Sequence, residues 1–232
     1  MRPNVLLITL DQFRGDTLSA AGHPVVSTPN LDAIAAEGVR FARHFAQAAP
    51  CAPGRAALYT GTYQMNNRVV ANGTPLDHRF DNVARLGIRA GYHPVLFGYT
   101  DVGADPRQIT DPADPRLSNY EGVLPGFDEL LCLDEHHVPW LEHLRTLGYD
   151  AHDPNLMLAT EHSRPAEHSV TTFLTDTFLD WPTHPEAPAP SLAKYNITFP
   201  PATLLWMGKK EDWVNLKDAW IREWDQAYRS GK

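Results

Sequence analysis

The chain has 232 residues, 43% of them hydrophobic, with 20 lysines and arginines against 28 aspartates and glutamates and a net charge of -8. That length suits one large domain or two small ones and can bury a substantial core. The acidic balance argues against nucleic-acid partners, which select basic surfaces; it leaves room for an anionic small substrate at a locally positive site. No apolar run approaches the ~18 residues of a membrane span. The stretch Val5–Leu10 is too short for a signal-peptide core and is interrupted by Asp11. The expectation is a cytoplasmic protein without membrane contact. The two cysteines, Cys51 and Cys132, form no disulfide framework and are expected as thiols.

From the N-terminus, NVLLITL (4–10) is a branched apolar run that reads as a strand buried on both faces. STPNLDAIAAEG follows with Ser27 or Thr28 as candidate caps, Pro29 in the first turn, and Leu31, Ile34 and Ala35 at helical spacing. Gly38 ends that helix, and the alternation in VRFARHF (39–45) predicts a second strand. APGRAALYTG opens another helix, closed by Gly61. A helix over 81–90, stopped by Gly91, leads into a strand at PVLFGYT. Helices alternating with strands predict an α/β fold with a mostly parallel sheet and flanking helices.

After Asp101 the Asp- and Pro-rich stretch 101–122 reads as a long loop or lid. Helices are expected at VPWLEHLRTLGY and at SVTTFLTDTFLDW, the latter capped by Ser169. Residues 182–190, PTHPEAPAP, read as a linker. Trp213, Leu216, Trp220, Trp224 and Tyr228 then form the stripe of an amphipathic helix, whose simplest role is packing.

The chemistry centres on PCAPGRAALYTG. In an open α/β sheet, ligands sit beyond the C-terminal ends of strands. A residue at the start of the helix there faces unpaired N–H groups and a positive dipole end. Arg55, one turn on, adds a forked cationic donor. Asp11, closing the first strand, would open onto the same crevice as a hard metal ligand. Alone, Cys51 also fits a small buried hydrophobe, and Asp11 a turn cap. Together, oxyanion site, metal ligand, nucleophile and arginine point to sulfuryl or phosphoryl transfer. DEHH (134–137) carries metal-ligand types, but adjacent histidines on a polar loop are most simply solvated.

CAPGR (51–55) resembles the C-x-P-x-R signature of type I sulfatases, in the alkaline phosphatase superfamily. NVLLITLDQFRGD and TPNLDAIAAEGVRF look like that family's opening strand, first helix and second strand. DQFR, YQMNNRVVANGTPLD, FGYTD and DPR are similar to the phosphonate monoester hydrolase and arylsulfatase branch. The resemblance implies an alkaline phosphatase-like fold. It also implies that a formylglycine-generating enzyme oxidises Cys51 to formylglycine, whose hydrate is the nucleophile held by Arg55. A divalent metal, manganese, calcium or similar, would be bound by Asp11, Gln12 and the residue-51 diol. Asn72 and Tyr99 would contact a small anionic ester, a sulfate, phosphate diester or phosphonate. Asp101 falls where that branch has a threonine.

The resemblance runs from about residue 3 to 181. Residues 1–181 are therefore expected as the N-terminal part of a sulfatase-type domain, lacking the C-terminal half, and 182–232 as a linker and Trp-rich helix unlike the family. No counterpart of the family's His-bearing loop, later Asp-His pair or oxyanion lysine is visible. Weak hydrolysis is the expectation. The alternative is a non-catalytic remnant that acts through its sheet edge and Trp helix, as a homo-oligomer or with another partner.

Overall fold

The computed structural model describes residues 3–11, 13–119 and 121–181, and the backbone of 191–197 and 204–206. In chain order the elements are β1 (Val5–Leu10), α1 (Pro29–Glu37), α2 (Cys51–Thr60), α3 (Gln64–Asn67), α4 (Val83–Arg89), β2 (His93–Gly98), β3 (Asp128–Cys132), α5 (Val138–Thr146), α6 (Pro154–Ala159), α7 (Val170–Asp180), β4 (Ser191–Ile197) and β5 (Leu204–Trp206). Gln12, the linker 182–190 and the Trp stripe 213–228 lie outside the described residues.

The chain forms two compact units. The first contains Met1–Leu7, Phe45–His136 and Pro188–Asn196; the second contains Ile8–His44, His137–Ala187 and Ile197–Lys232. In the first unit the strands run in the order β3-β2-β4-β1, and in the second β5 follows the last residues of β1. β2 pairs parallel with β3 and parallel with β4, so the expected parallel sheet is present. All residues of β2 after His93 are buried, as the apolar run PVLF requires of an interior strand.

Sequence patterning missed β3. Asp128 and Glu129 are exposed there, and β3 is an edge strand, where charge guards against unwanted pairing. β4 was also missed, and so was α6, which at six residues is too short to show a helical period.

The strand expected over 39–45 does not form. That stretch is irregular, and Val39, Phe41 and Phe45 are 78%, 77% and 75% exposed. Alternation identifies a strand only where a neighbouring strand supplies its hydrogen bonds, and none pairs with these residues among those described.

α2 places its small residues inward. Ala52, Ala56 and Tyr59 pack with Val69, Leu76, Val102 and Leu124, and Phe80, Val83 and Phe127 border this core. Gly61, with φ of +66°, ends the helix in a conformation glycine adopts without strain. In the second unit, Thr28 stands at the N-cap of α1 as expected, but its hydroxyl bonds Ser19 and Asp32 rather than a helix N–H. Ser169 does cap α7, accepting from Thr172 N at 3.1 Å. Trp140 of α5 is fully buried and donates its indole N–H to the His168 carbonyl at 3.1 Å.

Candidate active site

Cys51 is the first residue of α2 and half-buried, so residue 51 sits where the helix dipole and free N–H groups favour negative charge. Pro50, at the N-cap, provides no side-chain cap. The cap comes from twenty residues on: Asn72 Oδ1 accepts from Ala52 N at 3.0 Å. Its Nδ2 group donates to nothing among the described residues.

Arg55, one turn into α2, is 8% exposed. Its guanidinium carbon lies 5.1 Å from the centroid of the Tyr99 ring, and its Nε lies 3.6 Å from Asp101 Oδ2. That separation is an ion pair longer than a hydrogen bond. Tyr99 and Asp101 are themselves buried. Tyr99 directly follows β2 and Asp101 comes two residues later, at the C-terminal end where an α/β sheet presents its ligands. Four of the expected site residues, Cys51, Arg55, Asn72 and Tyr99, thus gather in the first unit, Tyr99 by way of Arg55. Asp101, which the resemblance left without a role, is the ion-pair partner of Arg55. Asp11 directly follows β1 and belongs to the second unit.

The turn bearing Asp101 is clamped by a close backbone approach. Thr100 N and Oγ1 donate to Gly122 O at 3.1 and 2.6 Å, and Leu124 N donates to Thr100 Oγ1 at 3.0 Å. A Cβ at Gly122 would lie 2.6 Å from Val102 O, so no larger residue fits. This crossing brings Glu121, missed in the sequence, into the field of Asp101. Burial, reinforced by Asp101, Glu135 and Asp134 and opposed by Arg55, pushes the Glu121 carboxyl up to about 7. Of the DEHH group, Asp134 is committed to Asn119 Nδ2 at 2.6 Å and to His136 N at 3.0 Å.

A second charged group joins two stretches singled out by the resemblance. The ligand atoms of Asp77, His78 and Asp105 lie within 4.8 Å of one another, the donor set of a metal site. Two guanidiniums already occupy their oxygens. Arg107 donates Nε to Asp105 Oδ1 at 2.9 Å and Nη2 to Asp105 Oδ2 at 2.7 Å, and Arg79 donates Nη2 to Asp77 Oδ2 at 2.7 Å. The signal was present in the opposite charges of LDHR (76–79) and DPR (105–107).

The sulfatase family model matches residues 3–149. The chain belongs to the sulfatase family. It is 44% identical over 198 residues to the multifunctional alkaline phosphatase superfamily protein PehA of Trinickia caryophylli, an alignment covering 78% of this chain and 38% of that protein. It is 35% identical over 99 residues to an arylsulfatase of Clostridium perfringens, covering 42% of this chain and 21% of that protein. Among solved structures, it resembles the phosphonate monoester hydrolase of Agrobacterium radiobacter with a TM-score of 0.78 and 47% identity, over 85% of this chain and 41% of that one. The fold is therefore alkaline phosphatase-like. This sulfatase-family chain spans about two fifths of the length of PehA and of the phosphonate monoester hydrolase.

Proposed function

We propose that the chain carries the nucleophile-bearing part of a site that hydrolyses a small anionic sulfate, phosphate-diester or phosphonate ester, through a formylglycine made from Cys51 by a formylglycine-generating enzyme. The observation that supports this most is the position of residue 51 at the start of α2, with Arg55 one turn on and held by Tyr99 and Asp101.

Once hydrated, the aldehyde supplies an oxygen nucleophile in place of the thiol. The Arg55 guanidinium donates to that oxygen, and the first N–H groups of α2 favour its negative charge. Tyr99 and Asp101 fix the guanidinium, so little order is lost on reaction. Asn72, its Oδ1 engaged with Ala52 N, keeps its Nδ2 donors for a substrate oxygen. The Asp11 carboxylate, half-buried where β1 ends, fits a hard divalent cation, as do a glutamine carbonyl at position 12 and a diol oxygen at position 51. Such a metal would supply Lewis-acid polarisation of the ester oxygen.

The residues named here supply only some of the donors that steady charge in such a transition state, and each donor removed costs about 100- to 1000-fold, so turnover by these residues alone is expected to be weak. The test is an assay of the converted chain on a nitrophenyl phosphate diester and a nitrophenyl sulfate with manganese or calcium. Slow, metal-dependent turnover lost in both Asp11→Ala and Cys51→Ala supports the reading; an unchanged rate in Cys51→Ala overturns it.

A further inference from the structure

A cavity of about 520 Å³ opens between the turn after α3, the segment leading to α4, and the Asp105–Arg107 turn. Its lining includes Arg68, Arg79 and Arg107 with Asp77 and Asp105, and none of Cys51, Arg55, Asn72 or Tyr99. It lies wholly within the first unit.

The charges here are arranged asymmetrically. The carboxylate oxygens are filled. Asp105 Oδ2 accepts from His78 N at 2.9 Å and Arg107 Nη2 at 2.7 Å, and lies 2.8 Å from His78 Nδ1; its Oδ1 accepts from Arg107 N and Nε. Asp77 takes Arg79 N, Nε and Nη2, and Arg107 Nη2 lies 3.0 Å from it. These bonds hold both carboxyls far below the usual range, Asp77 chiefly through Arg79 and Asp105 chiefly through Arg107, so the clamps stay ionised. A cation would have to displace two guanidiniums.

The arginines are not filled. Nη1 of Arg79 and of Arg107 donates to nothing among the described residues, and the Arg68 side chain makes no hydrogen bond or ion pair among them. Three guanidiniums face two carboxylates, an excess of positive charge. Arg68 is the C-cap of α3, with φ of +62° in the left-handed region that helix ends commonly take and that glycine favours.

We propose that this cavity binds a phosphate or sulfate group, received by Arg68 and by the free edges of Arg79 and Arg107. Two of the three guanidiniums are already fixed by Asp77 and Asp105, so binding orders mainly Arg68. The group could be the free oxyanion or one esterified to a larger molecule; the chemistry recognised is the same.

The test is calorimetric titration of the full chain with inorganic phosphate, inorganic sulfate and ethyl phosphate. Arg68→Gly is the informative variant, because glycine accepts the φ of this position and the fold is not at risk. Saturable binding that weakens at least about 10-fold in Arg68→Gly, with an unchanged or raised melting temperature, and that survives in Asn72→Asp, supports the site. Tighter binding of ethyl phosphate than of inorganic phosphate assigns it to an esterified group, and equal binding to the free oxyanion. No saturable binding, undiminished binding in Arg68→Gly, or binding lost in Asn72→Asp alone would each overturn it, the last by moving the anion to the start of α2.

Discussion

Arg55 and Asp101 form an ion pair with 3.6 Å between Nε and Oδ2 and side chains only 9% and 3% exposed. A charge pair removed from water so fully is costly to break one-sidedly, because one charge is lost while the other stays buried. Asp101 also has φ of +55°, which asparagine tolerates nearly as well as aspartate. Asp101→Asn therefore isolates the charge. We expect it to lower unfolding free energy by about 3 kcal/mol in urea titration. Asp101→Thr, the residue of the phosphonate hydrolase branch, should cost more, since a β-branched residue adds backbone strain. Unchanged stability in Asp101→Asn would show that the charge of Asp101 is not what holds Arg55.

Asn72 has separable ends. Its Oδ1 caps α2 through Ala52 N. Asn72→Ala should lose about 1 kcal/mol of stability, the usual worth of a helix cap. Asn72→Asp retains the acceptor and adds a negative charge favourable at a helix start, so stability should hold. Aspartate has no Nδ2 donors and would repel an anionic ester, so turnover should fall in both variants. Stability loss in Asn72→Asp equal to that in Asn72→Ala would contradict the capping role.

Much of this arrangement was legible in the sequence. The apolar run of β1, and the helix stopped by Gly91 with an apolar strand after it, predicted the parallel α/β sheet, and CAPGR located residue 51 and Arg55 at a helix start. The misses have physical causes. β3 carries Asp128 and Glu129 because an edge strand need not be apolar. The 39–45 stretch alternates as a strand does, yet pairing depends on a neighbour that periodicity does not reveal. The Asn72 cap, the Arg55–Asp101 pair and the Asp77–Arg107–Asp105 clamp join residues up to 46 apart in sequence, and they appear only once the backbone crossing at Gly122 and the packing of α2 are known.

Glu121 should make stability depend on pH. Burial first, then Asp101, Glu135 and Asp134, raise its folded-state pKa from 4.5 to about 7. Below pH 4.5 both states are protonated and the group is neutral in its effect. Between 4.5 and 7 the unfolded chain releases the proton while the folded chain retains it, so stability falls as pH rises and levels off above 7. The group is partly open to solvent, and with screening the loss across this window is about 1 kcal/mol. Glu121→Gln should abolish this component and be the more stable protein at pH 8. Equal slopes for wild type and Glu121→Gln between pH 5 and 7 would contradict it.

The two cysteines should differ in reactivity. Burial, then Glu129 and Asp134, push the Cys132 thiol up to about 12, so it remains protonated at pH 8. The thiolate is the reactive species. Iodoacetamide at pH 8 should leave Cys132 unmodified in the folded chain, and peptide mapping should find label only at Cys51. Label on Cys132 at a comparable rate would show that β3 opens readily.

The most direct measurement of the central claim is peptide mass spectrometry of residue 51 after co-expression with a formylglycine-generating enzyme, under aerobic conditions that provide the oxidant. Conversion replaces the CH₂–SH of Cys51 by CH=O, a net loss of H₂S and gain of one oxygen. The expected result is a residue-51 peptide with that mass change, reactive toward an aldehyde probe, with Cys132 unmodified and no probe signal in Cys51→Ala. A residue-51 peptide that retains its thiol throughout would contradict the assignment of Cys51 as nucleophile precursor.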